Sequence, residues 1–68
     1  MMMIEVVMKH GADGKTWPDS AYNHLEDAKE RLQEIKSDYS SFDIDKEEEF
    51  YFCTSCGFSA EIEEVWLF

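Results

Sequence analysis

The groups with the most chemistry to offer are the carboxylates crowded into the C-terminal half: Asp38, Asp43, Asp45, Glu47, Glu48, Glu49, Glu61, Glu63 and Glu64, with Lys46 as the one basic residue among them. Carboxylates on the same face of a strand stand about 7 Å apart, a spacing comparable to that of backbone phosphates. A protein that grips DNA with Lys and Arg could accept such a surface in place of the duplex. Asp43, Asp45, Glu47, Glu48, Glu49, Glu61, Glu63 and Glu64 are therefore the expected partner-binding residues. The plain alternative is a solvated face that only keeps the chain in solution. Acid–base catalysis by the same groups would need a cleft that drives their pKa values apart. A chain this short leaves little room for one. It carries no Ser/His/Asp arrangement, Gly-rich phosphate loop or EF-hand loop, and no enzymatic activity is expected.

The second constellation is Cys53-Thr54-Ser55-Cys56-Gly57. Two thiolates flanking a tight turn, with a glycine to relieve strain after the second, resemble half of a zinc ribbon. The resemblance implies Cys53 and Cys56 as metal ligands in a small zinc-knuckle interaction domain. A full site needs further ligands, from His10 and His24 or from a second copy. Otherwise the pair are two reduced thiols and no cofactor is required. Thioredoxin-like redox chemistry fits poorly, because a strand rather than a helix follows Cys56.

These groups must be positioned by a single small domain, residues 1–68. Its 68 residues carry 44% hydrophobic and 15% aromatic side chains, enough for a core, and a net charge of −10. Residues 1–37 hold seven acidic and five basic side chains, whereas 38–68 hold nine and one. That field repels nucleic acid and anionic membranes and draws in basic partners. With two cysteines, no basic leader and no apolar run of membrane-spanning length, the expected location is a reducing cytoplasm.

Alternation of Ile4, Val6 and Met8 with Glu5, Val7 and Lys9 predicts a strand over Met3 to His10. A glycine turn follows, then an irregular connector at Thr16 to Ser20, where Pro18 discourages regular structure. Leu25, Ala28, Leu32, Ile35 and Tyr39 form an apolar stripe at helical spacing, predicting a helix over 21–38 with a capping box from Asn23 to Glu26. After an acidic connector, Glu47 to Phe68 reads as one hairpin around the Cys-x-x-Cys-Gly turn. The expected fold is α+β, β-α-β-β, with a three-stranded antiparallel sheet in the order 1-3-2 and the helix on one face.

In the last strand, strict alternation would bury Glu64 beside the core, so a bulge at Glu63-Glu64 is expected. Either register leaves Trp66 with Phe68, or Val65 with Leu67, uncovered near Val7 and Tyr51. An exposed apolar patch of this kind usually marks an interface, and a homodimer through the sheet is the expectation, with Val7, Tyr51, Trp66 and Phe68 at the contact.

Small size, strong acidity, a compact αβ domain and dimerisation together resemble the phage-encoded DNA mimics that disable host restriction enzymes, CRISPR effectors, DNA repair enzymes or the nucleoid protein HU. Dimeric acidic inhibitors of HU are the most similar in size and character. The likeness covers the chain as a whole and rests on no matched motif, so it transfers no residue by position. It implies a non-enzymatic inhibitor that occupies the DNA-binding surface of a basic protein.

Overall fold

The computed structural model describes residues 2–67 and is α+β, with one helix and a five-stranded antiparallel sheet. In chain order the elements are β1 (Met2–His10), β2 (Thr16–Tyr22), α1 (Leu25–Asp38), β3 (Ile44–Glu48), β4 (Tyr51–Thr54) and β5 (Ser59–Leu67). The strands lie side by side as β2-β1-β5-β4-β3. The expected three-stranded sheet is thus corrected: β1, β5 and β4 stand in the middle and one further strand flanks each side.

Both additional strands formed where the sequence suggested irregular chain. Proline is tolerated on a sheet edge or at a bulge, and Pro18 has both. It opposes Met8, while Val7 opposes Ser20, so Asp19 is the extra residue of a bulge in β2. On the other edge Ile44–Glu48 has charges on both sides, which costs nothing where both sides are wet. It pairs with β4 through Lys46↔Cys53, Glu47↔Phe52 and Glu48↔Tyr51. The chain reverses at Glu49-Phe50, so what reads as one long strand is two.

Because β2 runs on to Tyr22, the helix starts later than its pattern suggested. His24 is the N-cap, with no side-chain cap bond, and the Asn23–Glu26 box does not form. Its stripe behaves as read: Ala28, Leu32 and Ile35 are buried. With Val7, Phe52, Phe58 and Ala60 they make the core, and Tyr39 stacks on Phe58 at 4.0 Å between ring centroids. Truncating Leu32 or Ile35 to Ala would cost about 2–5 kcal/mol, the usual range for a filled core position.

The β4–β5 turn is a type seen in hairpins with a three-residue loop, ending in a residue with positive φ. Gly57 takes that place at φ 93, with its N–H donated to the Thr54 carbonyl and Thr54 N–H donated to Phe58. The β1–β5 ladder is unbroken, from His10↔Ser59 to Met2↔Leu67. The bulge expected at Glu63-Glu64 is therefore absent. Directly opposed residues share a face, so Glu5, Val7, Ala60, Ile62, Glu64 and Trp66 lie on the helix side. Glu64 nonetheless stays exposed, because the helix stops short of it. A helix of 14 residues spans about 21 Å and a strand of nine about 30 Å, so the far end of the β1–β5 ribbon is bare. The buried carboxylate is instead Glu5, at 5% exposure.

Candidate functional site

The expected carboxylate array divides once its ion pairs are traced. Lys36 pairs with Glu47, Lys29 with Glu49 at 2.9 Å and Lys46 with Glu48 at 3.9 Å, and Glu61 shares a hydrogen bond with His10 Nε2 at 2.9 Å. Four of the eight expected contact residues are thus engaged within the chain, two of them by helix cations that reach across to β3 and its turn. Asp43, Asp45, Glu63 and Glu64 are exposed, with no basic partner within ion-pair distance among the described residues. The array also occupies two sides of the sheet. Glu48, Glu61 and Glu63 face away from the helix, while Glu47 and Glu64 lie on its side.

The chain has six Lys and Arg residues. Lys9 and Arg31 meet Asp19, Lys15 meets Asp13, and Lys29, Lys36 and Lys46 take the three glutamates just named. Each lies within 4.0 Å of a carboxylate of its own chain, although the Lys15 and Lys46 contacts, at 4.0 and 3.9 Å, are exposed and loose. Exposed acidic groups remain in excess: Glu26, Asp27 and Glu30 on the first turns of the helix, and Asp38 at its last residue. The surplus gathers in three places: the helix start, the join of helix and β3 around Asp38, Asp43 and Asp45, and Glu63 with Glu64 on β5. The helical carboxylates lie outside the expected contact set, although their i, i+3 and i, i+4 spacing is plain in the sequence.

Asp19 is the residue the sequence hid best. As the bulge residue it turns a carboxylate toward Arg31, which donates from Nε at 2.8 Å and from a terminal nitrogen at 3.0 Å. Lys9 lies at 3.0 Å and the Ser20 hydroxyl donates at 2.8 Å. Chiefly the Arg31 bonds, then those from Ser20 and Lys9, hold its carboxyl well below the usual carboxylate range against the cost of burial. The cluster ties β1, β2 and the helix together and is structural.

Both cysteines are free thiols, in different surroundings. Cys53 lies on the helix-free side beside Tyr51, whose hydroxyl pKa is raised by Cys53 first, then by burial and by the Glu48 and Glu61 charges. Cys56 packs against the core on the opposite side, its Sγ 3.0 Å from Thr54 Oγ1. A zinc knuckle would need both thiolates on one metal. His10 has both ring nitrogens occupied, by Thr16 and Glu61, and His24 is the exposed helix cap. Among the described residues no group of three His, Cys, Asp or Glu side chains comes together as a metal site.

The expected interface residues also separate. Val7 is fully buried under the helix, so it is removed from any contact surface. Tyr51 is half-buried on the helix-free face, Trp66 is 53% exposed on the helix side of the bare ribbon, and Phe68 lies outside the described residues. One shallow groove of about 260 Å³ runs between the helix end and β3, lined by Gln33, Lys36, Ser37, Ser40, Phe42 and Ile44. It presents one charged group, already paired with Glu47, beside the Ser37 and Ser40 hydroxyls. No helix among the described residues is long and apolar enough to cross a membrane. No family model, curated protein or solved structure matches the chain.

Proposed function

We propose that this protein is a non-enzymatic inhibitor that binds a basic protein on its DNA-binding surface and so excludes DNA. The observation that carries the reading is the cation balance. All six Lys and Arg side chains lie within 4.0 Å of a carboxylate of the same chain, Lys15 and Lys46 only loosely, and exposed carboxylates are left over. A partner's Arg or Lys would meet negative charge with no competing cation to displace. Asp43, Asp45, Glu63 and Glu64 are the contact residues that remain free, joined by Glu26, Asp27 and Glu30 on the helix. The ladder fixes Glu63 and Glu64 by their backbones, which lowers the ordering cost that a flexible acidic tail would bear. Association driven by such a field is fast and salt-sensitive.

The test is retention of basic proteins from a bacterial lysate on the immobilised chain, followed by challenge with duplex DNA. DNA should release the bound protein, and affinity for the isolated partner should fall at least about tenfold between about 50 and 300 mM salt. A variant carrying Asp43→Asn, Asp45→Asn, Glu63→Gln and Glu64→Gln should fold and lose most of its binding. A captured protein indifferent to DNA, to salt and to these substitutions would refute the proposal.

A further inference from the structure

Beyond the carboxylate surface, the sheet has an unfinished edge inside it. Ile62 donates its N–H to the Phe50 carbonyl at 2.9 Å, and the pairing of β4 with β5 goes no further. In an antiparallel ladder alternate residues turn both backbone groups to the same side. Ile62 turns its groups toward β4, so Glu64 and Trp66 turn theirs the same way, where no strand lies among the described residues. Glu63, Val65 and Leu67 spend theirs on β1.

The geometry points to a second copy of this chain as the occupant, its β5 adding antiparallel to this β5 about a two-fold axis at Val65. In that register Glu64 of each copy exchanges both backbone hydrogen bonds with Trp66 of the other, and Val65 meets Val65 as a non-hydrogen-bonded pair. The charges agree with it: Glu63 falls opposite Leu67 and Glu64 opposite Trp66, so no carboxylate stands directly across from another. Moving the axis to residue 64 sets Glu64 against Glu64 and requires the Ile62 N–H that Phe50 already holds. Moving it to 66 leaves only Trp66 paired with itself within the described residues.

The outer edges of the sheet support the choice by contrast. On one side β2 has Pro18 and a bulge; on the other β3 has a bulge and charged residues at 45–48, all devices that discourage strand addition. The step on β5 has no proline or bulge, its two charges, Glu63 and Glu64, fall opposite Leu67 and Trp66, and it exposes Val65 at 37%, Trp66 at 53% and Leu67 at 45%. Because β4 and β3 lie beside residues 59–62 only, residues 63–67 of an antiparallel partner lie clear of them. The contact joins edge to edge instead of face to face, and it leaves Val7 in the core. It does not depend on the proposed function.

Sedimentation from about 5 to about 500 µM tests it, a range that spans weak association. The mass should rise from the 8.0 kDa monomer to twice that, and earlier at high salt, which screens the repulsion of two chains at −10. A synthetic chain N-methylated at Glu64 loses an outward donor and no intrachain bond, so it should melt like the parent when dilute and remain monomeric. In a Cys53→Ser, Cys56→Ser background, Val65→Cys should oxidise to a cross-linked dimer far faster than Glu63→Cys. A monomer at every concentration, a dimer indifferent to N-methylation, or cross-linking as rapid through residue 63 would each overturn the inference.

Discussion

Replacing Glu5 by Gln should make the protein more stable at neutral pH, although it alters a residue in the middle of a strand. Glu5 is 5% exposed, its Oε2 is buried with no donor, and Glu64 stands directly across the ladder. Burial first, and the Glu64 charge second, raise the Glu5 carboxyl above its ordinary pKa. Two charges about 5 Å apart repel by about 3 kcal/mol at an effective dielectric of about 20. Since Glu64 is exposed to water, about 1 kcal/mol is a fairer share for that repulsion. Desolvation of a buried group without a partner adds about 1–3 kcal/mol, part of which an amide still incurs. A gain of about 2 kcal/mol follows for Glu5→Gln, or a melting temperature about 8–16 °C higher for a domain of this size. Glu64→Gln should recover at most about half of that, because it removes only the repulsion.

The pH dependence is diagnostic. A carboxyl whose folded pKa is raised contributes its full stability below the unfolded value, near 4.3, and loses it as pH climbs through the folded value. The advantage of Glu5→Gln should therefore vanish by about pH 3.5 and reach a plateau above the folded pKa. Thermal unfolding followed by circular dichroism at both ends of that range measures it, at low micromolar protein to keep self-association out. A destabilised variant at pH 7, or the same gain at every pH, would refute the assignment of Glu5 as a buried, unpaired acid.

Asp19 predicts the opposite slope. Its depressed carboxyl supplies stability that is present above the unfolded Asp pKa of about 3.9 and drains away as pH falls. Asp19→Asn should cost about 2 kcal/mol at pH 7 by chemical denaturation, with the gap to the parent narrowing steadily below about pH 4. For the thiols, the Thr54 hydroxyl, followed by the backbone at Phe58, lowers the Cys56 pKa. Thr54→Val should slow Cys56 alkylation by iodoacetamide about threefold at pH 7.5, read by peptide mass spectrometry, and leave Cys53 labelling unchanged.

What the sequence made legible was whatever depends on local pattern. The stripe Ala28-Leu32-Ile35 appeared as a buried helix face, and Gly57 closed the expected turn. Edge strands were illegible, because alternation is enforced only where one side is dry, and β2 and β3 are wet on most positions. β1 shows a subtler failure. Its more apolar set, Ile4, Val6 and Met8, lies on the open side of the sheet, while the helix covers Glu5 and Val7. The small side chain of Ala60, fully buried, and the large ones of Phe52 and Phe58 shape that side of the sheet. Of the candidate site, the residue types were readable and their availability was not. Whether Glu47 and Glu49 were free depended on Lys36 and Lys29, which only the tertiary fold brings alongside.

The mismatch in length between helix and ribbon has a consequence for how the molecule breathes. Amide protons under the helix, near Val7, Phe52 and Ala60, can exchange only when the domain opens as a unit. Those of Met3, Ile4 and Val65 belong to a two-stranded strip with water on both flanks, and a lone pair of strands is marginal by itself. Fraying should therefore begin at this strip and stop where the helix takes over. The amides at the tip holding Trp66 should then be the first to exchange, and pairing with a second copy should slow them.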